Sequence, residues 1–272
     1  MPDLSSILPT ILTIANEMRW AIQIEFERYL VGAAGVAILY WLVRRWIEHR
    51  RIQTNKASFA DRRREFRQSV ETILVFSLVN LLTFAMFEAG WLPIDRSGPN
   101  LPILLGQIVA MVIMHDAWFY WMHRGLHLRA MFRRAHAAHH LSRTPTSWAA
   151  YSFAPIEAIF ESIYVPVMFL IVSNIVPMQP WAIFVFLGHQ IARNAIGHSG
   201  FELAWSGFTR SRWTGWLTTT THHDLHHTEG RYNFGLYFTF WDRLMGTEHP
   251  KYHERFEAVA RRRATAVGAE LA

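Results

Sequence analysis

The chain has 272 residues, of which 51% are hydrophobic and 18% charged, whereas a soluble domain carries about 25% charged residues. Its excess of Lys and Arg over Asp and Glu gives a net charge of +6. The absence of cysteine excludes disulfides, iron–sulfur clusters, thiolate zinc sites and a cysteine nucleophile, so any bound metal must have nitrogen or oxygen ligands.

Apolar and basic segments alternate in the first part of the chain. Leu30–Val43 and Thr72–Phe87 contain no charged residue, whereas Arg44–Arg67 between them holds nine Lys and Arg residues against three acids. A basic loop between two apolar spans is typical of the cytoplasmic side of a membrane protein, and it argues against a nucleic-acid-binding face. The alternative is a pair of buried helices in a soluble protein. Aromatic residues suited to the membrane interfaces lie near the ends of these runs: Tyr29, Trp41, Trp46 and Trp91.

The residues before the first apolar run have the opposite charge balance. Residues 1–28 hold two Lys or Arg residues against four acids and lack the basic start of a signal peptide, so we expect no cleaved leader. Leu4–Ile22 is predicted to form an interfacial helix within this N-terminal segment of residues 1–28. Residues 29–272 are predicted to form a single membrane domain.

A third apolar segment, Leu101–Met122, contains two ionisable residues. These are His115 and Asp116, and ionisable groups within a membrane span are usually functional. Trp118, Phe119, Tyr120 and Trp148 are candidates for lining a substrate channel, although aromatic residues near a membrane face are more often interface anchors.

A fourth apolar segment, Ser162–Ala192, has no Lys, Arg, Asp or Glu over 31 residues, which is too long for a single crossing. Pro177 and Pro180 lie in the middle of this segment and predict a hairpin of two helical arms. The sequence therefore predicts an all-α, polytopic membrane protein with about four transmembrane helical segments and a cytoplasmic helical cap.

Twelve of the fifteen histidines fall between His115 and His227, and they form spaced groups. Residues three or four positions apart share one face of a helix, so each group presents imidazoles in one direction. Such clusters suit the chelation of a cation, because unligated imidazoles would repel one another once protonated. The groups are His123-x-x-x-His127, His136-x-x-His139-His140 and, with His222 alongside, His223-x-x-His226-His227.

The histidines outnumber the ligands of one metal ion. A single zinc ion takes about four ligands, so this many imidazoles indicate a dimetal site. The absence of H-E-x-x-H disfavours zinc hydrolysis, and dense groups do not suit a haem held by isolated histidines. Imidazole binds iron, copper and zinc alike, so the spacing leaves the element open.

The motifs also occur in a specific order. His115-Asp-Ala-Trp-Phe-Tyr-Trp-Met-His123-Arg-Gly-Leu-His127 is followed by His136-Ala-Ala-His139-His140, Gly197-His198-Ser-Gly, His223-Asp-Leu-His226-His227, Asn233-Phe-Gly and Trp241-Asp-Arg-Leu-Met-Gly-Thr247. In this order they resemble the fatty acid hydroxylase/sterol desaturase superfamily, with a catalytic region at roughly residues 100–250. The resemblance implies an all-helical, integral-membrane enzyme with a di-iron site that uses O2 and two electrons to hydroxylate or desaturate lipids.

The resemblance further implies a set of metal ligands. These are His123, His127, His136, His139, His140, His198, His223, His226 and His227. Where some family members have H-x-x-x-H, this chain has Asn194-x-x-x-His198, so Asn194 is either a weak ligand or a group behind the ligands. His115 and His222 are expected behind the ligands, with a ligand role as the alternative. Asp116, Asp224 and Asp242 are candidate acceptors of a ligand imidazole N–H.

The predicted function is that of a membrane-bound, O2-dependent di-iron oxidoreductase that hydroxylates or desaturates a lipid, such as a fatty-acyl chain or a sterol. Its cofactors would be two iron ions, although zinc could occupy the site in a purified or crystallised form. O2 would be the co-substrate. No flavin or nicotinamide fingerprint is present, so a separate electron donor is expected, either a ferredoxin or a b-type cytochrome with its reductase. The metal site is expected on the cytoplasmic side of the membrane. The expected partners include membrane lipids but not nucleic acid. The alternative is a histidine-rich metal carrier or pH-responsive module without oxygenase activity.

Overall fold

The chain folds mainly into helices, as the sequence predicts. The computed structural model describes the backbone of residues 4–263 and the side chains of residues 12–263. Within this part of the chain, β-type pairing is limited to isolated bridges. The α-helices are α1 (Leu4–Tyr29), α2 (Gly35–Ile47), α3 (Phe59–Glu88), α4 (Leu101–Leu126), α5 (Arg129–Met131), α6 (Pro155–Ile175), α7 (Pro180–Gly197), α8 (Thr220–Glu229), α9 (Phe240–Leu244) and α10 (Tyr252–Ala260).

Four helical segments in the described part of the chain are long and apolar enough to cross a membrane. Helix α1 continues through a π-helical turn, Leu30–Ala34, into α2, so that Leu12–Arg50 forms the first of them. The others are α3, α4 and α6. Large apolar side chains such as Val109 and Ile113 are exposed on these helices, as expected where the solvent is lipid. The chain is therefore an all-α, multi-pass membrane protein.

The N-terminal prediction falls inside the first of these segments. The boundary expected between residues 28 and 29 lies within the continuous helical run, and residues 1–3 lie outside the described part of the chain. The division into an interfacial segment and a membrane domain stays a prediction. The basic stretch is also more helical than expected, since α3 begins at Phe59 behind a capping box in which Ser58 and Asp61 exchange hydrogen bonds.

The predicted proline hairpin is present. Helix α6 ends at Ile175, and α7 begins at Pro180, where the missing N–H costs no intrahelical hydrogen bond. The turn is held by Gln107 of α4, whose amide nitrogen donates to the carbonyl of Pro177 at 3.0 Å. The second arm, α7, is shorter than the first and is not one of the four membrane-crossing segments.

The helices pack into one bundle. Helix α3 lies against α1 and α6, and α4 lies against α6 and α7. The π-helical turn reaches α7 through Gly32, where a Cβ atom would collide with Ile191. Only glycine permits this close approach.

A cap of short helices and turns covers one end of the bundle, and Arg50, in the 3-10 turn Glu48–Arg50 that follows α2, holds it there. The Arg50 guanidinium donates to the carbonyl oxygens of Glu202, Ala204 and Ala260. These bonds fix the segments around α7 and α10 to the foot of the first membrane segment.

Candidate metal centre

Nine imidazoles gather beneath the bundle in two adjoining groups. In each group one ring nitrogen per residue lies within 4.8 Å of the corresponding nitrogens of the others. The first group is His123, His127, His136, His140 and His226, and the second is His139, His198, His223 and His227. The groups adjoin closely, because the ring centroids of His140 and His227 are 5.1 Å apart. The structure thus brings together all nine residues that the resemblance implied.

Different local structures deliver these side chains. His123 and His127 lie one turn apart at the end of α4, and His198 is the C-cap of α7. His136 ends a π-helical turn, Phe132–His136, and the next pair begins a 3-10 turn, His139–Leu141. The remaining three histidines lie on α8. The membrane helix α4, the shorter helix α7 and the cap therefore share the site.

Hydrogen bonds from Nδ1 orient the rings. His123 donates to the carbonyl of Phe234 at 3.1 Å, and His226 donates to that of Tyr232 at 2.8 Å. In the second group, His139 donates to the carbonyl of Ser152 at 3.0 Å, and His198 to that of Asn194 at 2.8 Å. A carbonyl only accepts, so Nδ1 carries the proton and Nε2 keeps its lone pair in the neutral ring.

The free Nε2 atoms converge. His140 Nε2 lies 3.2 Å from that of His127 and 3.1 Å from those of His136 and His226. In the second group, His223 Nε2 lies 2.9 Å from His198 Nε2 and 3.1 Å from His227 Nε2. Where both rings of a pair carry their proton on Nδ1, the two lone pairs at this distance repel. A cation between the rings removes the repulsion, so this donor set fits two metal ions with imidazole ligands.

Burial keeps the rings in the form that binds metal. It lowers the pKa of His127 to about 3 and the pKa values of His140 and His198 to about 4, below the ordinary value of 6.5. Burial is also the main reason why the pKa values of His136, His139, His223, His226 and His227 lie well below 6.5, and neighbouring imidazoles lower them further. All of these rings are neutral at pH 7.

Glu157 of α6 was missed by sequence reasoning. Its Oε1 accepts a 2.7 Å hydrogen bond from Nδ1 of His136, and both side chains are buried. A carboxylate behind a ligand histidine fixes the ring and makes it a stronger donor to the metal. The available signal was a pair of acids, Glu157 and Glu161, one turn apart at the start of an otherwise apolar helix.

Two of the predicted carboxylates, Asp116 and Asp224, accept hydrogen bonds from groups other than the nine histidines. Asp116 accepts the backbone N–H groups of Tyr237 and Phe238 at 2.8 and 3.1 Å, and it thereby holds the cap to α4. Asp224 accepts from the amide of Gln53 at 2.7 Å. Among the described contacts, neither receives an imidazole N–H from the nine histidines.

Three further predicted residues surround the groups. His115 Nδ1 lies 2.9 Å from the hydroxyl of Tyr237, and His222 Nε2 lies 3.3 Å from Oδ2 of Asp242. The side chain of Asn194 donates to the carbonyl of Ala150, while its main-chain carbonyl receives the His198 N–H. None of the three belongs to either group. Asn194 contributes its backbone rather than its side chain.

The proposed channel aromatics are divided among several environments. Phe119 packs against His123, with ring centroids 5.0 Å apart. Trp118 donates to the carbonyl of Phe160, Tyr120 hydrogen-bonds Thr247, and Trp148 packs in the aromatic core around Tyr29. Phe119 alone among them contacts a ring of the two groups.

Residues 108–247 match the family model described as fatty acid hydroxylase, which covers more than half of the chain. The chain belongs to the fatty acid hydroxylase family. The region that matches this family includes both histidine groups.

Individual members of the superfamily are similar at a distance. The chain is 28% identical to human lathosterol oxidase over 193 residues, which cover 68% of this chain and 60% of that protein. It is 28% identical to a methylsterol monooxygenase of Aspergillus fumigatus, over 61% of this chain and 53% of that protein. It is 29% identical to rat cholesterol 25-hydroxylase, over 57% of this chain and 50% of that protein. The chain thus spans about half to three fifths of the length of these relatives. No solved structure matches it.

The last two motifs of the family-like region, which begin at Asn233 and Trp241, hold the loop whose backbone carbonyls orient His123 and His226. Asn233 adopts a left-handed conformation with φ 60°, and its side chain bridges the carbonyl of His222 and the N–H of His249. Asp242 accepts the N–H groups of Phe234 and Gly235 at 2.9 and 2.8 Å. The loop that carries the carbonyls of residues 232 and 234 is therefore held from both sides.

Proposed function

We propose that this protein is a membrane-bound, O2-dependent di-iron oxidoreductase that hydroxylates or desaturates a lipid. The observation that carries the proposal is the convergence of nine Nε2 atoms in two adjoining groups at the foot of apolar helices. Two metal ions held beside a membrane suit the oxidation of a substrate that resides in the bilayer.

Iron is the proposed metal. A bound iron pair supplies the activation of O2 toward unactivated C–H bonds, which amino-acid side chains alone do not perform. The five histidines of the first group and the four of the second would hold the two ions through Nε2. In five of these rings the other ring nitrogen donates to a fixed acceptor, such as Glu157 or Ser152, so these ligands are oriented before a metal arrives.

The protein also keeps the site dry. Seven of the nine histidines are buried, and the other two, His127 and His140, are half-buried. Phe119 and Phe234 pack against His123. Exclusion of water protects reactive species from side reactions. The chain's own contribution to the chemistry is therefore to position ligands and to shield the site.

The metal site is proposed to face the cytoplasm. Basic segments from distant parts of the chain meet at the end of the bundle that carries the histidines. Arg64 donates to the carbonyl of Leu141 in the cap, and Arg262 donates to the carbonyl of Arg51. Such an accumulation of arginine favours the cytoplasmic side.

The proposed substrate is a sterol or another lipid with a long apolar body. The three relatives carry names that refer to sterol oxidation. A separate ferredoxin, or a b-type cytochrome with its reductase, is proposed as the electron donor. Exposed arginines on the cap offer this acidic class of partner a complementary surface.

The test is mass spectrometry of lipids from cells that express the protein, with H139A and H49A variants for comparison. A gain of one oxygen indicates hydroxylation, and a loss of two hydrogens indicates desaturation. H139A should abolish the product, whereas H49A, outside both groups, should retain it. A folded protein that binds metal loosely and yields neither product with any lipid extract and donor would instead be the carrier or pH-responsive module.

A further inference from the structure

A cavity of about 940 Å³ lies between the first membrane segment and helices α3, α6 and α7. Ligand pockets of roughly 300–1,000 Å³ that are mainly apolar and contain a few placed polar groups bind small molecules. Most of the residues that line this cavity are apolar, among them Leu81, Phe169 and Leu187. Its wall combines residues between 17 and 39, which precede the family-like region, with residues of α6 and α7, which lie within that region.

The cavity is open toward the surroundings of the bundle. Val31 and Phe184, which line it, are 76% and 70% exposed. Trp20 and Ile24 on α1 are also both cavity-lining and exposed. These apolar side chains lie at the level of the membrane-crossing segments, so the cavity opens into lipid rather than into water.

A polar cluster is set into this apolar wall. The buried carboxylate of Glu25 pairs with the guanidinium of Arg28 at 3.0 Å and accepts from the amide of Asn80 at 2.8 Å. Arg28 in turn donates to the hydroxyl of Tyr151 at 2.7 Å. Glu25, Arg28 and Asn80 line the cavity. Charged and amide groups at membrane depth are expensive, and they usually mark a functional pathway or site.

A second polar group, in the wall of the cavity, has no hydrogen-bond partner among the described residues. Ser173 of α6 lines the cavity and is 2% exposed, and its hydroxyl makes no hydrogen bond with any described residue. A buried hydroxyl without a partner is destabilising. A ligand with a hydrogen-bonding group would satisfy it.

The charges of the wall restrict the ligand. Glu17, Glu25 and Glu27 line the cavity, whereas Arg28 is the one basic residue among its lining side chains, all of which are described. An anionic head group would face this excess of acid, while an uncharged hydroxyl can both donate to a carboxylate and accept from an amide. We infer that the cavity is a binding site for an uncharged, hydroxyl-bearing lipid that enters from the bilayer.

The inference concerns binding alone, so its test needs no turnover. The purified, metal-loaded protein in detergent is titrated with dehydroergosterol, a fluorescent sterol with one hydroxyl, and energy transfer from tryptophan is recorded; Trp20 lines the cavity. We expect saturable transfer that 1-octadecanol displaces at lower concentration than stearate. Non-saturable transfer, or equal displacement by alcohol and carboxylate, would overturn the inference.

Three variants separate this site from general lipid contact. N80L and S173A remove the proposed hydrogen-bonding groups, and each should weaken binding by about fivefold, the effect of one lost hydrogen bond. T83V is the matched control: Thr83 also lines the cavity, but its hydroxyl already donates within the helix to the carbonyl of Val79. T83V should therefore bind as the parent protein does.

S173A allows a second measurement, thermal stability, on a variant that loses only one small hydroxyl. Removal of the unpartnered hydroxyl should raise the thermal stability of the ligand-free protein while it weakens dehydroergosterol binding. If N80L and S173A both bind dehydroergosterol as tightly as T83V, the cavity is not the site.

Discussion

His136 and Glu157 form a buried hydrogen bond of 2.7 Å that links the first histidine group to the membrane helix α6. The second carboxylate oxygen of Glu157 has no hydrogen-bond partner in the described structure. A buried carboxylate with one free oxygen is costly unless nearby positive charge offsets it. A metal ion on the far side of the His136 ring would supply that charge.

Replacement of Glu157 by leucine should weaken metal binding. The ring of His136 would lose its anchor and part of its donor strength, and such changes typically cost about 10–100-fold in affinity. Metal retention against a chelator series measures the effect. The matched variant is E161Q, because Glu161 is also buried on α6 but is not hydrogen-bonded to a histidine. If E157L retains metal as E161Q does, the proposed role of Glu157 is wrong.

Single substitutions in the two groups should affect one metal ion at a time. H140A removes the ring whose Nε2 lies near three others of the first group, and H223A removes the ring between His198 and His227 in the second. Because the groups are separate, each variant should retain about half of the parent's metal content. Elemental analysis of purified protein checks this, with H253A as control. Loss of all metal in both variants would contradict independent binding, and full retention would exclude these ligands.

The metal-free protein should lose stability in mild acid. Since the folded-state pKa values of His127, His140 and His198 are lowered to between about 3 and 4, the unfolded chain binds more protons than the folded chain below pH 6.5. Their contribution to stability is complete above pH 6.5 and is lost as the pH falls toward 4. Chemical unfolding of chelator-treated protein across this range measures the slope. A constant free energy of unfolding between pH 6.5 and 4.5 would contradict the prediction.

Substitution of Asp242 should destabilise the loop behind the first group. D242A leaves the buried N–H groups of Phe234 and Gly235 without their acceptor, at a cost of about 3 kcal/mol. The carbonyls that orient His123 and His226 would then move, so metal content should fall together with the unfolding temperature. D95A is the control, since Asp95 lies on the opposite loop and accepts from Ser97. Equal unfolding temperatures for D242A and D95A would refute this role.

The membrane helices were predictable because their signal is local. An apolar run long enough to span a bilayer must form its backbone hydrogen bonds within itself, so it must be helical. Pro177 and Pro180 located the hairpin for the same kind of reason, since proline ends a helix wherever it occurs in the chain. The extent of the first segment was less predictable, because α1 carries polar residues whose partners, such as Asn80 and Tyr151, lie far away in sequence.

The acceptors behind the histidines were beyond sequence reasoning. Glu157 follows His136 by 21 residues, and the carbonyl of Phe234 lies 111 residues after His123. A backbone carbonyl leaves no mark in the residue type, whereas Asp116 and Asp224, the acceptors that the sequence predicts, accept hydrogen bonds from other groups.

The spacing of the histidines by itself predicted the local groups, because residues three or four apart share a helical face, whereas His198 was implied only by the resemblance to the family. Only the tertiary structure decided how they divide. His139 and His140 are neighbours in sequence but belong to different groups, as do His226 and His227. Successive side chains on a helix diverge by about 100°, so each adjacent pair can face both groups only where the cap holds its backbone between them. That placement depends on long-range contacts such as those of Arg50 and Asp242, which no local pattern specifies.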